Sequence, residues 1–146
     1  MNNLFPIFIK PDLIHTLIVG GGNVGLEKLE ALLNNCQEAN IVLVSPIIKD
    51  EITLLSNSFK NLQLIQRTFQ FEDLNNKQLV ICASDNKALH QEIHMACKGK
   101  NILINVADTP DLCDFYLGSI VKKGDLKIAI STNGKSPTFA KRLKET

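Results

Sequence analysis

The segment Gly20-Gly21-Gly22-Asn23-Val24-Gly25 satisfies G-x-G-x-x-G and stands between an apolar, β-rich run (His15-Thr16-Leu17-Ile18-Val19) and a helical pattern. That placement constrains the fold more than any other feature, because the spacing acquires meaning only when a strand feeds it and a helix leaves it. Gly20 permits the tight turn, Gly22 lets backbone approach a pyrophosphate, and Gly25 allows close helix–strand packing. The helix start then offers free N–H groups and partial positive charge to the phosphates. Gly25 is followed by Leu26-Glu27-Lys28 rather than Lys-Ser or Lys-Thr, which argues against a nucleoside triphosphatase.

The remainder repeats the same alternation. Val24, Leu29, Leu32 and Leu33 follow helical spacing from Asn23 to about Asn34. Ile41-Val42-Leu43-Val44 reads as a second buried strand, and a helix is expected from about Ile48 to Asn57. Leu62-Gln63-Leu64-Ile65 and Leu79-Val80-Ile81-Cys82-Ala83 read as strands three and four. A helix over 86–98 and a fifth strand, Ile102-Leu103-Ile104, complete the series. Such βαβ units predict an α/β fold: a doubly wound parallel sheet of the dinucleotide-binding kind, with helices on both faces. The period changes after Asp108. Phe115–Val121 and Leu126–Ser131 flank Lys122-Lys123-Gly124-Asp125 and predict a C-terminal β-hairpin; Ser136-Pro137 then opens a short helix. Residues 1–112 are expected to form the dinucleotide-binding domain and 113–146 the hairpin with the start of a further segment. Phe5-Pro6-Ile7-Phe8-Ile9 reads as an edge strand or an arm.

Composition removes several classes of function. Sixteen basic and fifteen acidic residues leave a net charge of +1, without the electrostatic footprint of a nucleic-acid binder. Its aromatic residues are sparse and do not alternate with basic ones, so single-stranded nucleic acid is no better supported. No apolar run approaches the ~20 residues of a membrane span, and the N-terminus lacks the pattern of a signal peptide. Cys36, Cys82, Cys97 and Cys113 form no C-x-x-C pair, which suggests buried or half-buried reduced thiols in a cytoplasmic protein. His90 and His94 lie four residues apart on a helix, but His90-Gln91-Glu92-Ile93-His94 is not H-E-x-x-H. They are expected on the helix surface, with no metal.

Two further places bear on chemistry. The end of the second strand, where an NAD site usually carries Asp or Glu for the ribose, is Ser45-Pro46, with Lys49 close by. On these residues alone NAD and NADP remain open alternatives. Asn105-Val106-Ala107-Asp108 follows the fifth strand, at the edge where open α/β sheets place ligands. Asp108 reads either as a general base facing the nicotinamide or as part of an Asx-turn leading into Pro110.

Several blocks together resemble one family. These are Leu4-Phe5-Pro6-Ile7-Phe8, the glycine loop with Glu27-Lys28, Cys82-Ala83-Ser84-Asp85-Asn86, Asn105-Val106-Ala107-Asp108 and Ile130-Ser131-Thr132-Asn133-Gly134-Lys135-Ser136-Pro137. In this order they look like the amino-terminal part of siroheme synthase, the precorrin-2 dehydrogenase family. The resemblance implies NAD-dependent dehydrogenation of precorrin-2 to sirohydrochlorin, with Asp108 as the catalytic residue. It implies cofactor contacts from Asn23, Val24, Ile47 and Ile48, which with the motif glycines Gly20, Gly22 and Gly25 and with Ser45, Ser84 and Asn105 make up the expected cofactor site; Ser136 matches a position near the tetrapyrrole, and the positive charge of Lys135 suits the substrate's carboxylates. Ser136 matches a serine that is phosphorylated in some members. The resemblance also tips the cofactor towards NAD, because the family's second strand often lacks the acidic residue, and implies a homodimer in the full-length form. Full-length members continue into a dimerisation segment and a helical domain, whereas this sequence stops at Thr146. Weaker dimerisation, an open substrate site and doubtful ferrochelatase activity are the expectations that follow. The rival reading is an NAD(H)-sensing regulatory module, a fold of similar length that normally carries the missing acidic residue.

Overall fold

The five apolar runs read as buried strands form one parallel sheet. Its strands are β1 (His15–Val19), β2 (Asn40–Val44), β3 (Leu62–Ile65), β4 (Leu79–Cys82) and β5 (Leu103–Val106), in the order β3-β2-β1-β4-β5. The computed structural model describes residues 1–133. Ile9–Asp114 forms one compact unit; Met1–Phe8 and the described residues from Phe115 onward form another. The tail with Lys135, Ser136 and the expected Ser-Pro helix lies outside the described residues.

In the first unit, α1 (Asn23–Asn35) connects β1 to β2, α2 (Asp50–Ser58) connects β2 to β3, and α3 (Lys87–Lys100) connects β4 to β5. The sheet grows from β1 to β3 in one direction and through β4 to β5 in the other. Its switch point therefore lies between β1 and β4, the crevice that such sheets use for ligands. Residues alternate between faces. Leu17, Val19, Val44, Val80, Cys82, Ile104 and Val106 join Ile93 and Cys97 of α3 in one buried cluster. The intervening Ile18, Ile41, Leu43 and Ile81 are equally buried and point to the other face, and Leu29, Leu33 and Ile52 are the buried residues of α1 and α2.

Helix limits differ slightly from the sequence reading. Lys49 is extended (φ −60°, ψ 146°) and serves as the N-cap, so α2 begins at Asp50, with Asp50 and Glu51 complementing the helix dipole. The amide of Leu89 donates to Asn86 Oδ1, starting α3 at Lys87, and left-handed Asn101 (φ 58°) ends it. The outer edge of β5 is occupied by its own return segment. Asp114 N–H donates to Ile104 O at 2.7 Å, and Asp114 Oδ2 accepts from Ile104 N–H at 3.0 Å. An edge paired in this way is closed to strands of other molecules.

Beyond β3, a fork of two hydrogen bonds from Arg67 to Asp73 (2.9 and 2.7 Å) pins the 3₁₀ turn Phe71–Leu74, and Asp73 also accepts from Gln70 N–H. The Arg67 guanidinium holds the Asp73 carboxyl below the usual carboxylate range. A carboxylate with a depressed folded pKa contributes stability above its unfolded pKa of about 3.9, and that contribution is lost as pH falls through the folded value. Asp73→Asn is thus expected to lower the melting temperature at neutral pH and flatten its decline below about pH 4. Parallel melting curves for the two proteins across the acid range would exclude this linkage.

The second unit holds the hairpin, β6 (Ser119–Lys123) and β7 (Leu126–Ile130), antiparallel with Ser119 opposite Ile130. The turn is the two residues Gly124-Asp125, with Gly124 at φ 58°, rather than the four expected. Ladder geometry absorbs Lys122 and Lys123 into β6, and the register ends before Phe115–Leu117 are reached. The segment Phe5–Ile9 forms no strand. It is exposed, Phe5 by 87% and Phe8 by 69%.

Candidate dinucleotide-binding site

Gly20 leaves β1 at φ 130°, and its N–H donates to Val44 O on β2 at 3.1 Å. A Cβ at Gly20 would lie 2.7–2.8 Å from the Ala83 and Ser84 backbone, so the loop presses on the end of β4. At Gly25 a Cβ would lie 2.2 Å from Gly20 O, which brings the first turn of α1 onto the strand end. Gly21 has the same constraint: its Cβ would lie 2.4 Å from Ile47 O. Because it occupies an x position, the motif gives no sign of that need. Gly22 is different. It is exposed, and nothing lies within 4 Å of where its Cβ would be.

That open space adjoins the start of α1, where no side chain caps the first turn and no acidic residue enters it. A helix start leaves backbone N–H groups without intrahelical partners. These groups, beside a glycine whose missing side chain clears the approach, fit a diphosphate.

The β2–α2 connection forms the next wall. Ser45 is buried, and its hydroxyl donates to Ile47 O at 2.8 Å, fixing the turn. Ile47 is 79% exposed although apolar, a surface suited to the face of an adenine ring. Ile48 is half-buried beneath Gly21. Lys49 reaches back across the loop: its N–H donates to Gly21 O at 2.9 Å and its Nζ to Asn23 Oδ1 at 2.7 Å. Asn23 is exposed and Val24 half-buried, both in the first turn of α1.

Beyond β4, the half-buried Ser84 shares a 2.8 Å hydrogen bond with His90 Nε2. His90 is not on the helix surface as expected; it is 4% exposed beneath the β4–α3 turn. The small Ala83-Ser84 step lets α3 dock close to the strand end, which turns this histidine inward. Burial pushes its pKa below the ordinary imidazole value, against an opposing effect from Asp85. Cys82 and Cys97, also buried, are pushed up, Cys97 to about 11, so neither thiol is a nucleophile at neutral pH.

At the end of β5, Asn105 is buried and Asp108 exposed. Asp108 sits in the left-handed region at φ 59°, held between the Ala107 N–H donating to Cys82 O and the Thr109 N–H donating to Val106 O. Non-glycine residues adopt this conformation seldom, Asp and Asn most readily, and such positions cluster at functional sites. The glycine loop, Ser45, Ser84 and Asp108 thus all lie along the carboxyl edge of one sheet.

Residues 7–119 match the family model described as putative NAD(P)-binding, and residues 123–146 the one described as sirohaem biosynthesis protein central. The siroheme synthase of Psychrobacter arcticus is 39% identical over 97% of this chain, a match that spans 25% of that protein. The siroheme biosynthesis protein met8 of Schizosaccharomyces pombe is 38% identical over 88% of this chain and 49% of its own length. Among solved structures, SirC, a precorrin-2 dehydrogenase, superposes with a TM-score of 0.80 at 25% identity, covering 97% of this chain and 68% of that one. The chain spans about a quarter to a half of the length of these curated relatives. With the glycine loop, the switch-point crevice and the family model in agreement over residues 7–119, the chain belongs to the putative NAD(P)-binding family, and siroheme synthases are its relatives.

Proposed function

We propose that this chain dehydrogenates precorrin-2 to sirohydrochlorin with NAD⁺ as the hydride acceptor. One observation carries the reading: a loop fit for a diphosphate and an exposed carboxylate on a left-handed turn share the carboxyl edge of one parallel sheet. Two strand spacings, roughly 10 Å, separate β1 from β5, a distance that a dinucleotide anchored at the loop spans. The similarity to siroheme synthases and to a precorrin-2 dehydrogenase supplies the substrate.

In this reading the α1 N–H groups and Gly22 hold the diphosphate, and Ile47 and Ile48 line the adenosine side. The buried Asn105 and the Ser84–His90 pair shape the crevice towards β5. A bound nicotinamide supplies hydride acceptance, the part of the chemistry no side chain provides. Asp108 takes the proton that leaves the macrocycle with the hydride, and a base so placed contributes typically ~10²–10⁴-fold. Lys135 and Ser136 would meet the substrate's carboxylates. Four free cysteines support a cytoplasmic location.

We further propose a homodimer. Val121, Leu126, Ile128 and Ile130 share one face of the hairpin, and Leu126 and Ile128 are 61% and 46% exposed, an apolar surface suited to a second copy. The test is incubation of the chain with precorrin-2 and NAD⁺. NADH absorbance rising together with the sirohydrochlorin spectrum is expected, and sedimentation of the same sample reports the pairing. Binding of NAD⁺ without turnover would favour a sensing module instead.

A further inference from the structure

We propose that Lys49 sets the dinucleotide specificity of this chain by providing a place for a ribose 2′-phosphate, so that the 2′-phosphorylated dinucleotide is accepted alongside the unphosphorylated one. The inference rests on the dinucleotide reading above and goes beyond it.

Folds of this kind exclude the phosphorylated cofactor with a carboxylate at the end of the second strand, which grips the ribose hydroxyl and repels a phosphate. Here that position is Ser45, buried, with its hydroxyl hydrogen committed to Ile47 O at 2.8 Å. No acidic residue occurs between Ser45 and Lys49. The repelling charge is therefore missing from the strand end, and a cation stands in the same connection, ahead of Asp50 and Glu51 in the first turn of α2.

That cation is fixed in place. The Lys49 backbone is tied to Gly21 O at 2.9 Å and its ammonium to Asn23 Oδ1 at 2.7 Å, so the charge bridges the β2–α2 turn and the opening of α1. Its side chain remains one-third exposed, at 33%. An ammonium is a point charge with several donors and binds phosphate without the planar geometry a guanidinium requires. Asn23 accepts one of its hydrogen bonds without adding negative charge.

The nearest competitor is Glu51, whose carboxylate lies 3.6 Å from Lys49 Nζ and is 59% exposed. An ion pair so open to water contributes little, roughly 0–1 kcal/mol, and yields readily to a dianion. If Lys49 served only to staple the glycine loop, or only to hold the diphosphate shared by both cofactors, its removal would weaken both equally. The proposal requires an unequal effect.

The experiment is a calorimetric titration of the full chain with NAD⁺ and with NADP⁺, for the wild type, Lys49→Gln and Lys49→Arg. Wild-type dissociation constants within about tenfold of each other are expected, and Lys49→Gln should raise the NADP⁺-to-NAD⁺ ratio by about tenfold or more. Lys49→Arg, which keeps the charge, should leave that ratio within about threefold of wild type. The wild-type preference should also shift towards NAD⁺ as salt rises, and this shift should shrink in Lys49→Gln. A wild type that binds NAD⁺ but discriminates against NADP⁺ by more than tenfold overturns the proposal and leaves the dinucleotide reading standing. A Lys49→Gln variant that weakens both nucleotides equally does the same. Binding of neither nucleotide by the folded wild type overturns both.

Discussion

Asp108→Asn is expected to slow NAD⁺-dependent oxidation of precorrin-2 by about 10²–10⁴-fold, the range a positioned general base contributes. The dissociation constant for NAD⁺ should stay within about threefold. Asparagine is the informative replacement because it has the same shape and, like aspartate, tolerates the left-handed backbone that Asp108 adopts at φ 59°. Alanine at this φ adds strain on the order of 1 kcal/mol and would confuse lost chemistry with a disturbed loop. Single-turnover rates at saturating NAD⁺ make the measurement. A rate equal to wild type removes Asp108 from the mechanism.

Gly22→Ala and Gly25→Ala should fail in opposite ways. Gly22 is the N-cap of α1 at φ −95°, with nothing within 4 Å of the added Cβ, so alanine meets no steric clash there. Reduced freedom of the unfolded chain, about 0.4–1 kcal/mol, offsets the poorer capping by alanine, so the melting temperature should change little. The new methyl group enters the space assigned to the diphosphate, and the NAD⁺ dissociation constant is expected to rise by at least about tenfold, or 1.4 kcal/mol. In Gly25→Ala the Cβ meets Gly20 O at 2.2 Å, backbone against backbone, so α1 must move off β1. That overpacking costs about 1–3 kcal/mol and takes binding with it. Melting curves and titrations of the two variants separate the roles. A Gly22→Ala protein with wild-type affinity would mean that no diphosphate crosses the loop.

Much of this site was legible in the linear chain. Strand and helix periods follow from which side chains are apolar, and the parallel order follows from right-handed crossovers between them, so the residue pattern by itself puts the glycine loop and Asp108 on one edge. What the pattern did not contain were contacts made by backbone. Gly21 occupies a variable motif position, and its requirement arises only because the β2–α2 turn packs against it. His90 looked like a surface residue because helical spacing says which side it lies on, not how closely the helix start docks against Ala83 and Ser84. Lys49 was visible as a nearby cation, but its hydrogen bond to Asn23 depends on two loops converging.

Composition and periodicity alone therefore determined the parallel α/β sheet, its glycine loop and the residue types at its carboxyl edge, since these depend on local propensity and on which faces must be buried. Tertiary structure alone decided the inward turn of His90, the tether of Lys49 and the clearance over Gly22. Each of these is a distance between segments far apart in the chain, and such distances are set by packing rather than by the order of residues.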